Sequence, residues 1–183
     1  MNKKLFSTSL FILAFSLLAQ FPLQAQEKKI NWVTIEQAQE LHKKNPKKIF
    51  VDIYTDWCSW CKRMDAETFT HPVIVDYINE NFYAVKLNAE QKEPIVFKGV
   101  KYENERADQR RGAHNFAIAI LQGRLSYPSV AFFDENLGLI YALPGFRTPV
   151  RMEPVLVFFN EDIYKSNPNL DEFSASFKGK ISQ

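Results

Sequence analysis

The chain of 183 residues is 46% hydrophobic and 14% aromatic, which suits one domain with a bulky core and excludes a disordered or fibrous polypeptide. Lys and Arg number 23 against 21 Asp and Glu, and two of the lysines, Lys3 and Lys4, lie in an acid-free leader, so the body beyond residue 25 is neutral. A neutral body without a basic cluster argues against nucleic acid as a partner.

Residues 1–25 have the form of a secretory signal peptide: Lys3 and Lys4, an apolar run from Leu10 to Ala19, then Phe21-Pro22-Leu23-Gln24-Ala25 before a cut at Gln26. The run is short for a bilayer span. Leu23 stands where a small residue is preferred, which leaves an uncleaved anchor as the alternative. Either way the body is exported, periplasmic or secreted, into a compartment where disulfides persist. Once the leader is cut, no stable membrane insertion is expected.

Residues 26–166 read as the folded domain and 167–183 as a polar C-terminal tail. Ile30–Val33 suggests a short strand. Thr34–Lys44 reads as a helix, with Thr34 and Gln37 spaced as a capping box and Ile35, Ala38 and Leu41 on one face. Lys48–Tyr54 is a strand rich in β-branched and aromatic residues. A loop with Cys58 and Cys61 leads into a helix to about Phe69. Pro72 marks a second helical piece, to Asn81, that reads as a continuation of the first. Phe82–Asn88 is a strand.

Residues 89–111 hold a small hairpin, Ile95–Phe97 and Val100–Tyr102 around Lys98-Gly99, and then a charged, solvated loop. Ala113–Leu121 reads as a helix with Phe116, Ile120 and Leu121 inward. Val130–Asp134 and Leu139–Leu143 form an antiparallel hairpin. A last helix runs from Thr148-Pro149 to about Tyr164.

Cys58 and Cys61, the two cysteines of the chain, form a C-x-x-C pair between a strand and a helix. This order puts Cys58 at a helix N-terminus, where unpaired N–H groups and the helix dipole favour a thiolate and lower its pKa. Cys61, one turn on, is placed to form a disulfide with it. As a static staple the pair would be poor, because so short a loop loses little chain entropy on closure. A zinc site would need further ligands, and His42, His71 and His114 lack finger-like spacing, so no metal is expected. Asp52 lies within an apolar strand run, awkward for a carboxylate without a role.

Together these elements resemble the thioredoxin superfamily: α/β class, with a central mixed β-sheet flanked by helices, here with an inserted hairpin and loop around 89–111. The likeness rests on Asp52 six positions before the first cysteine, on Trp57 just before it, and on Lys62 after the second. It rests also on Lys86-Leu87-Asn88, Tyr127-Pro128 and Gly145. The W-C-x-W-C-K form followed by Glu67-Thr68-Phe69 looks most like the exported branch related to periplasmic thiol:disulfide interchange domains and AGR-type proteins. Ser59-Trp60 between the cysteines departs from Gly-Pro, so the resemblance does not fix the reduction potential.

The resemblance implies thiol–disulfide exchange with Cys58 as nucleophile, Cys61 as resolving cysteine and Asp52 as a proton acceptor or donor, with Lys86 pairing Asp52. Trp57 and Trp60 would shield the pair and offer an apolar landing surface. A cis Tyr127–Pro128 bond would present the Tyr127 backbone to an extended substrate. No cofactor beyond the redox-active disulfide is expected. The partners implied are protein or small-molecule disulfides and an upstream electron donor or acceptor. The alternative is a non-catalytic binding module holding a protein partner at the Tyr127–Pro128 groove.

Overall fold

The computed structural model describes residues 28–182, and the expected leader lies outside them. Seven strands and seven helices follow in the order β1 (Trp32–Val33), α1 (Ile35–Lys44), β2 (Lys48–Tyr54), α2 (Ser59–Glu67), α3 (Pro72–Asn81), β3 (Phe82–Asn88), β4 (Ile95–Phe97), β5 (Val100–Tyr102), α4 (Asn115–Ile120), β6 (Ser129–Phe133), β7 (Leu139–Pro144), α5 (Pro149–Asn160), α6 (Ile163–Ser166) and α7 (Leu170–Ser176). Five strands form a mixed sheet in the order β1-β3-β2-β6-β7, and β4 and β5 form a separate hairpin. This is the thioredoxin fold.

β2 is central, parallel to β3 and antiparallel to β6, and its first six residues are buried. Both faces are covered, so its sequence is a continuous apolar run rather than an alternation. Successive side chains still point to opposite faces. Phe50 enters one core with Met64, Phe69, Phe82, Phe132 and Phe159, beneath α2, α3 and α5. Ile49, Val51 and Ile53 enter the other, with Phe97, Phe116 and Phe133, beneath α1, α4 and the hairpin. Asp52 shares the face of Phe50. The parallel register sets Asp52 opposite Lys86.

The Thr34–Gln37 capping box forms as expected. The buried face of α1, however, is Ile35, Ala38 and His42, whereas Leu41 is 39% exposed. Polar tertiary contacts turn the helix. Gln39 bonds the Val96 carbonyl and the Lys98 N–H, each at 2.8 Å, and Glu36 accepts from the Val96 N–H. The His42 ring lies between the carbonyls of Lys47 and Glu135. The β4–β5 turn uses positive φ at Lys98 and Gly99, matching strand twist.

Four boundaries differ from the sequence reading. α2 stops at Glu67, where the N–H groups of Thr68 and Phe69 both close on the Met64 carbonyl, and α3 starts afresh at Pro72. α4 is shorter than expected because His114 caps it, its Nδ1 accepting the Phe116 N–H. α5 ends at Asn160: Asp162 turns left-handed (φ 58°), and its carboxylate pairs with buried Lys48, which also meets Glu135. The expected polar tail instead carries α7. Phe173 packs on Phe158 at 5.4 Å, and buried Glu153 accepts the N–H groups of Lys180 and Ile181.

Phe132 is fully buried, 4.3 Å from the ring of Phe159, 5.5 Å from Phe50 and 5.8 Å from Phe82. Phe132→Ala is expected to cost about 3–5 kcal/mol in urea unfolding, as aromatic truncation in a close-packed core does. A loss under about 1 kcal/mol would show that this stack is loosely packed.

Candidate active site at the Cys58–Cys61 helix N-terminus

The C-terminal end of β2 feeds a turn in which the Cys58 N–H bonds the Thr55 carbonyl at 3.1 Å. Cys58 is extended (φ −76°, ψ 105°) and occupies the N-cap of α2, its Sγ accepting the Cys61 N–H at 3.1 Å. The two cysteines form a disulfide across a Cα–Cα distance of 5.3 Å. A cap acceptor satisfies one of the orphan donors of a helix start, and sulfur here fills the place of a Ser or Asp oxygen.

The Tyr127–Pro128 peptide bond is cis. It lies at the same end of the sheet, because Ser129 next to it pairs with Ile53 just ahead of the cysteine loop. The Pro128 carbonyl accepts the Gly145 N–H at 2.8 Å. Tyr127 itself stands outside the strand ladder, and its ring meets Trp57 edge-on at 6.1 Å. Burial, with a contribution from Glu90, pushes the Tyr127 phenol up to about 12.

Trp57 and Trp60 are 48% and 52% exposed, so neither is a core residue. The Trp57 Nε1–H donates to Glu90 at 2.8 Å, and the Arg111 guanidinium lies 4.2 Å above the indole. Trp60 packs on Phe146 at 5.3 Å, with Arg63 5.3 Å from both rings. Lys62 is exposed on α2.

Asp52 is 1% exposed, with one oxygen 2.6 Å from Lys86 Nζ and the other without a partner among the described residues. Lys86 also binds Asp65 of α2, and its ammonium sits 5.0 Å from the rings of Trp32 and Tyr54 and 5.4 Å from Phe69. Burial raises the Asp52 carboxyl from 3.8 to about 6. Lys86 opposes that shift and Asp65 adds to it. Burial works against the charge on Lys86, but Asp52 and Asp65 outweigh it and its pKa is raised. A cavity of about 300 Å³ lies on the Lys86 side of the pair, lined in part by Trp32, Asp65, Phe69 and Lys86.

Cys58, Cys61, Trp57, Tyr127 and Pro128 therefore lie at one end of the sheet, Asp52 and Lys86 pair within it, and Trp60 and Lys62 are exposed on α2. Asp65, Glu90 and Arg111 are additions. Asp65 had a signal, since it lies four residues after Cys61 on the same helical face. Glu90 and Arg111 had none, because they reach Trp57 from an insertion whose path no local pattern encodes.

Residues 16–135 match the model of Thioredox_DsbH, a family described as "Protein of unknown function, DUF255". The chain belongs to this family. Among solved structures, a thioredoxin-fold protein from Helicobacter pylori aligns with a TM-score of 0.54 at 20% identity, covering 72% of this chain and 84% of that one. A thioredoxin from Thermus thermophilus aligns with a TM-score of 0.51 at 14% identity, covering 76% and 91%. Both likenesses speak to the fold that this Thioredox_DsbH chain shares with them. Uncharacterized protein B0495.5 of Caenorhabditis elegans is 30% identical over 74 residues, which is 40% of this chain. The match spans only 10% of that protein's length.

The Asp52 carboxyl makes stability depend on pH with a definite sign. Its proton is held more tightly in the folded chain, so its contribution is fully present below about pH 4 and is lost as pH rises through about 6. Asp52→Asn is expected to match the parent at pH 4 and to exceed it at pH 7.5 by up to about 3 kcal/mol, read by urea unfolding at both pH values. Equal stabilities at pH 7.5 would mean that Lys86 fully compensates the buried charge.

Proposed function

We propose that the protein is an exported thiol–disulfide oxidoreductase that reduces protein disulfides. The observation that carries this reading is the Cys58–Cys61 disulfide at the start of α2, with Cys58 as N-cap receiving the Cys61 N–H. In the reduced protein the same N–H and the helix N-terminus stabilise a Cys58 thiolate.

The thiolate attacks one sulfur of a substrate disulfide. The substrate S–S bond breaks, a mixed disulfide forms on Cys58, and the departing thiolate takes a proton from solvent. Cys61 then gives its proton to the Asp52 carboxylate, directly or through water, and attacks the Cys58 sulfur. The second substrate thiolate leaves and is protonated, and the Cys58–Cys61 disulfide is restored. The substrate gains two electrons and two protons. An upstream dithiol donor returns the enzyme to its reduced form.

A buried carboxyl with a pKa near 6 suits this proton transfer near neutral pH. Lys86 orients Asp52 and moderates its pKa. In this reading the half-exposed indoles of Trp57 and Trp60 offer apolar surface next to the cysteines, and the Tyr127 backbone, which lies outside the strand ladder, pairs with an extended substrate chain.

With a dithiol donor and insulin as the substrate, the parent protein is expected to reduce the disulfides catalytically. Cys58→Ser should abolish turnover, and Cys61→Ser should accumulate the mixed disulfide, seen by mass spectrometry and reversed by thiol. Asp52→Asn should slow the step that releases substrate by up to about 100-fold near pH 7, the lower range for a positioned base. Equilibration with glutathione should place the pair nearer roughly −270 mV than −120 mV. A potential at the oxidising end would reverse the assigned direction. Absence of exchange in any buffer would leave a binding module in its place.

A further inference from the structure

Residues 89–111 depart from a minimal thioredoxin, and the insertion is held by internal bonds. Buried Asn104 donates to the carbonyls of Gln91 and Gly112 and accepts the Arg106 N–H, all at 3.0 Å. Gly112 passes so close to Arg106 that a Cβ there would overlap the Arg106 carbonyl. His114 N–H closes the base of the loop on the Ala89 carbonyl at 2.7 Å. These constraints deliver Arg111, in a left-handed conformation (φ 61°), onto the face of Trp57, the residue before Cys58.

The charges around this stack are unequal. Glu90 accepts the Trp57 indole N–H and Asp56 the Asn88 amide, bonds from neutral donors that leave both carboxylates charged, and neither forms a salt bridge with Arg111. On the other side of the disulfide, Arg63 over Trp60 is paired with Glu67. Arg111 has no carboxylate partner among the described residues and is exposed. A guanidinium held over an indole by the ring keeps N–H donors free of hydrogen-bond partners, and such a fork takes a carboxylate in bidentate fashion.

The geometry points to Arg111 as a specificity-determining residue that selects polypeptide disulfides with an Asp or Glu beside the reactive cysteine. This inference rests on the oxidoreductase reading of the same site. A polypeptide fits better than a small acidic disulfide, because Trp57, Trp60 and the Tyr127 backbone offer contacts to several successive residues, which a small molecule cannot fill. The stacked guanidinium meets the substrate carboxylate as the substrate sulfur approaches Cys58. The redox step is the one described above.

The test uses the reduced protein and two peptides, each with one disulfide and otherwise identical, with Glu or Gln next to the cysteine. Oxidation of Cys58 and Cys61 is followed by tryptophan fluorescence at low salt. The Glu peptide is expected to react about three- to five-fold faster, the scale of one exposed charge pair. The preference, read as the ratio of the Glu- to Gln-peptide rates within each variant, should vanish in Arg111→Gln and invert toward a Lys peptide in Arg111→Glu, with the melting temperature of each variant confirming that it is folded. Equal rates for the Glu and Gln peptides in the parent, or a preference that survives Arg111→Gln, would overturn the inference and leave the oxidoreductase reading standing. Oxidised glutathione reacting as fast as the Glu peptide would overturn the polypeptide assignment. No reaction with any disulfide, matching Cys58→Ser, would overturn both readings.

Discussion

A carboxylate in the centre of a sheet is the constraint around which this molecule is arranged. Asp52 sits on a strand whose neighbours are all buried, and water reaches it scarcely at all. Such a group survives only with a partner, and the parallel register of β2 and β3 supplies Lys86 directly opposite. Lys86 in turn needs its own solvation, which Asp65 and the faces of Trp32, Tyr54 and Phe69 provide. α2 contributes to this arrangement through Asp65, which binds Lys86 from the helix that starts at the cysteines. Burial raises the Asp52 carboxyl to about 6 even with Lys86 beside it.

The second organising feature is the helix start. Cys58 takes a position that Ser or Asp occupies in most helices, so the sulfur is held by backbone geometry rather than by side-chain packing. The cis Tyr127–Pro128 segment and the cysteine turn arrive at the same sheet end from adjacent strands, β6 and β2. The site is therefore built on rigid elements. The insertion 89–111 is fastened to α1 through Glu36 and Gln39 and reaches the site at Trp57 through Glu90 and Arg111.

Much of this was legible in the amino-acid order because it depends on neighbours in the chain. The capping box at Thr34, the Lys98-Gly99 turn, the helix start at Pro72 and the placement of Cys58 each follow from residues within a few positions. The central strand announced itself by its apolar run. Asp52 stood out because a carboxylate interrupts that run. The pairing with Lys86 was reachable through the family resemblance.

What tertiary structure alone decided involves partners distant in sequence. His42 rather than Leu41 is buried because carbonyls from Lys47 and Glu135 converge on its ring. α5 breaks at Asp162 because Lys48, over a hundred residues earlier, draws its carboxylate inward. The last segment folds back because Glu153 offers two acceptor oxygens to the backbone of Lys180 and Ile181. Arg111 and Glu90 meet Trp57 for the same reason. Sequence by itself determined most of the elements and the reactive pair, since local backbone preferences and hydrophobic periodicity are properties of short stretches, and the fold was legible through the family resemblance those elements and motifs carry. The electrostatic surroundings of that pair were decided by long-range packing, because charges act through space on whatever the fold brings near.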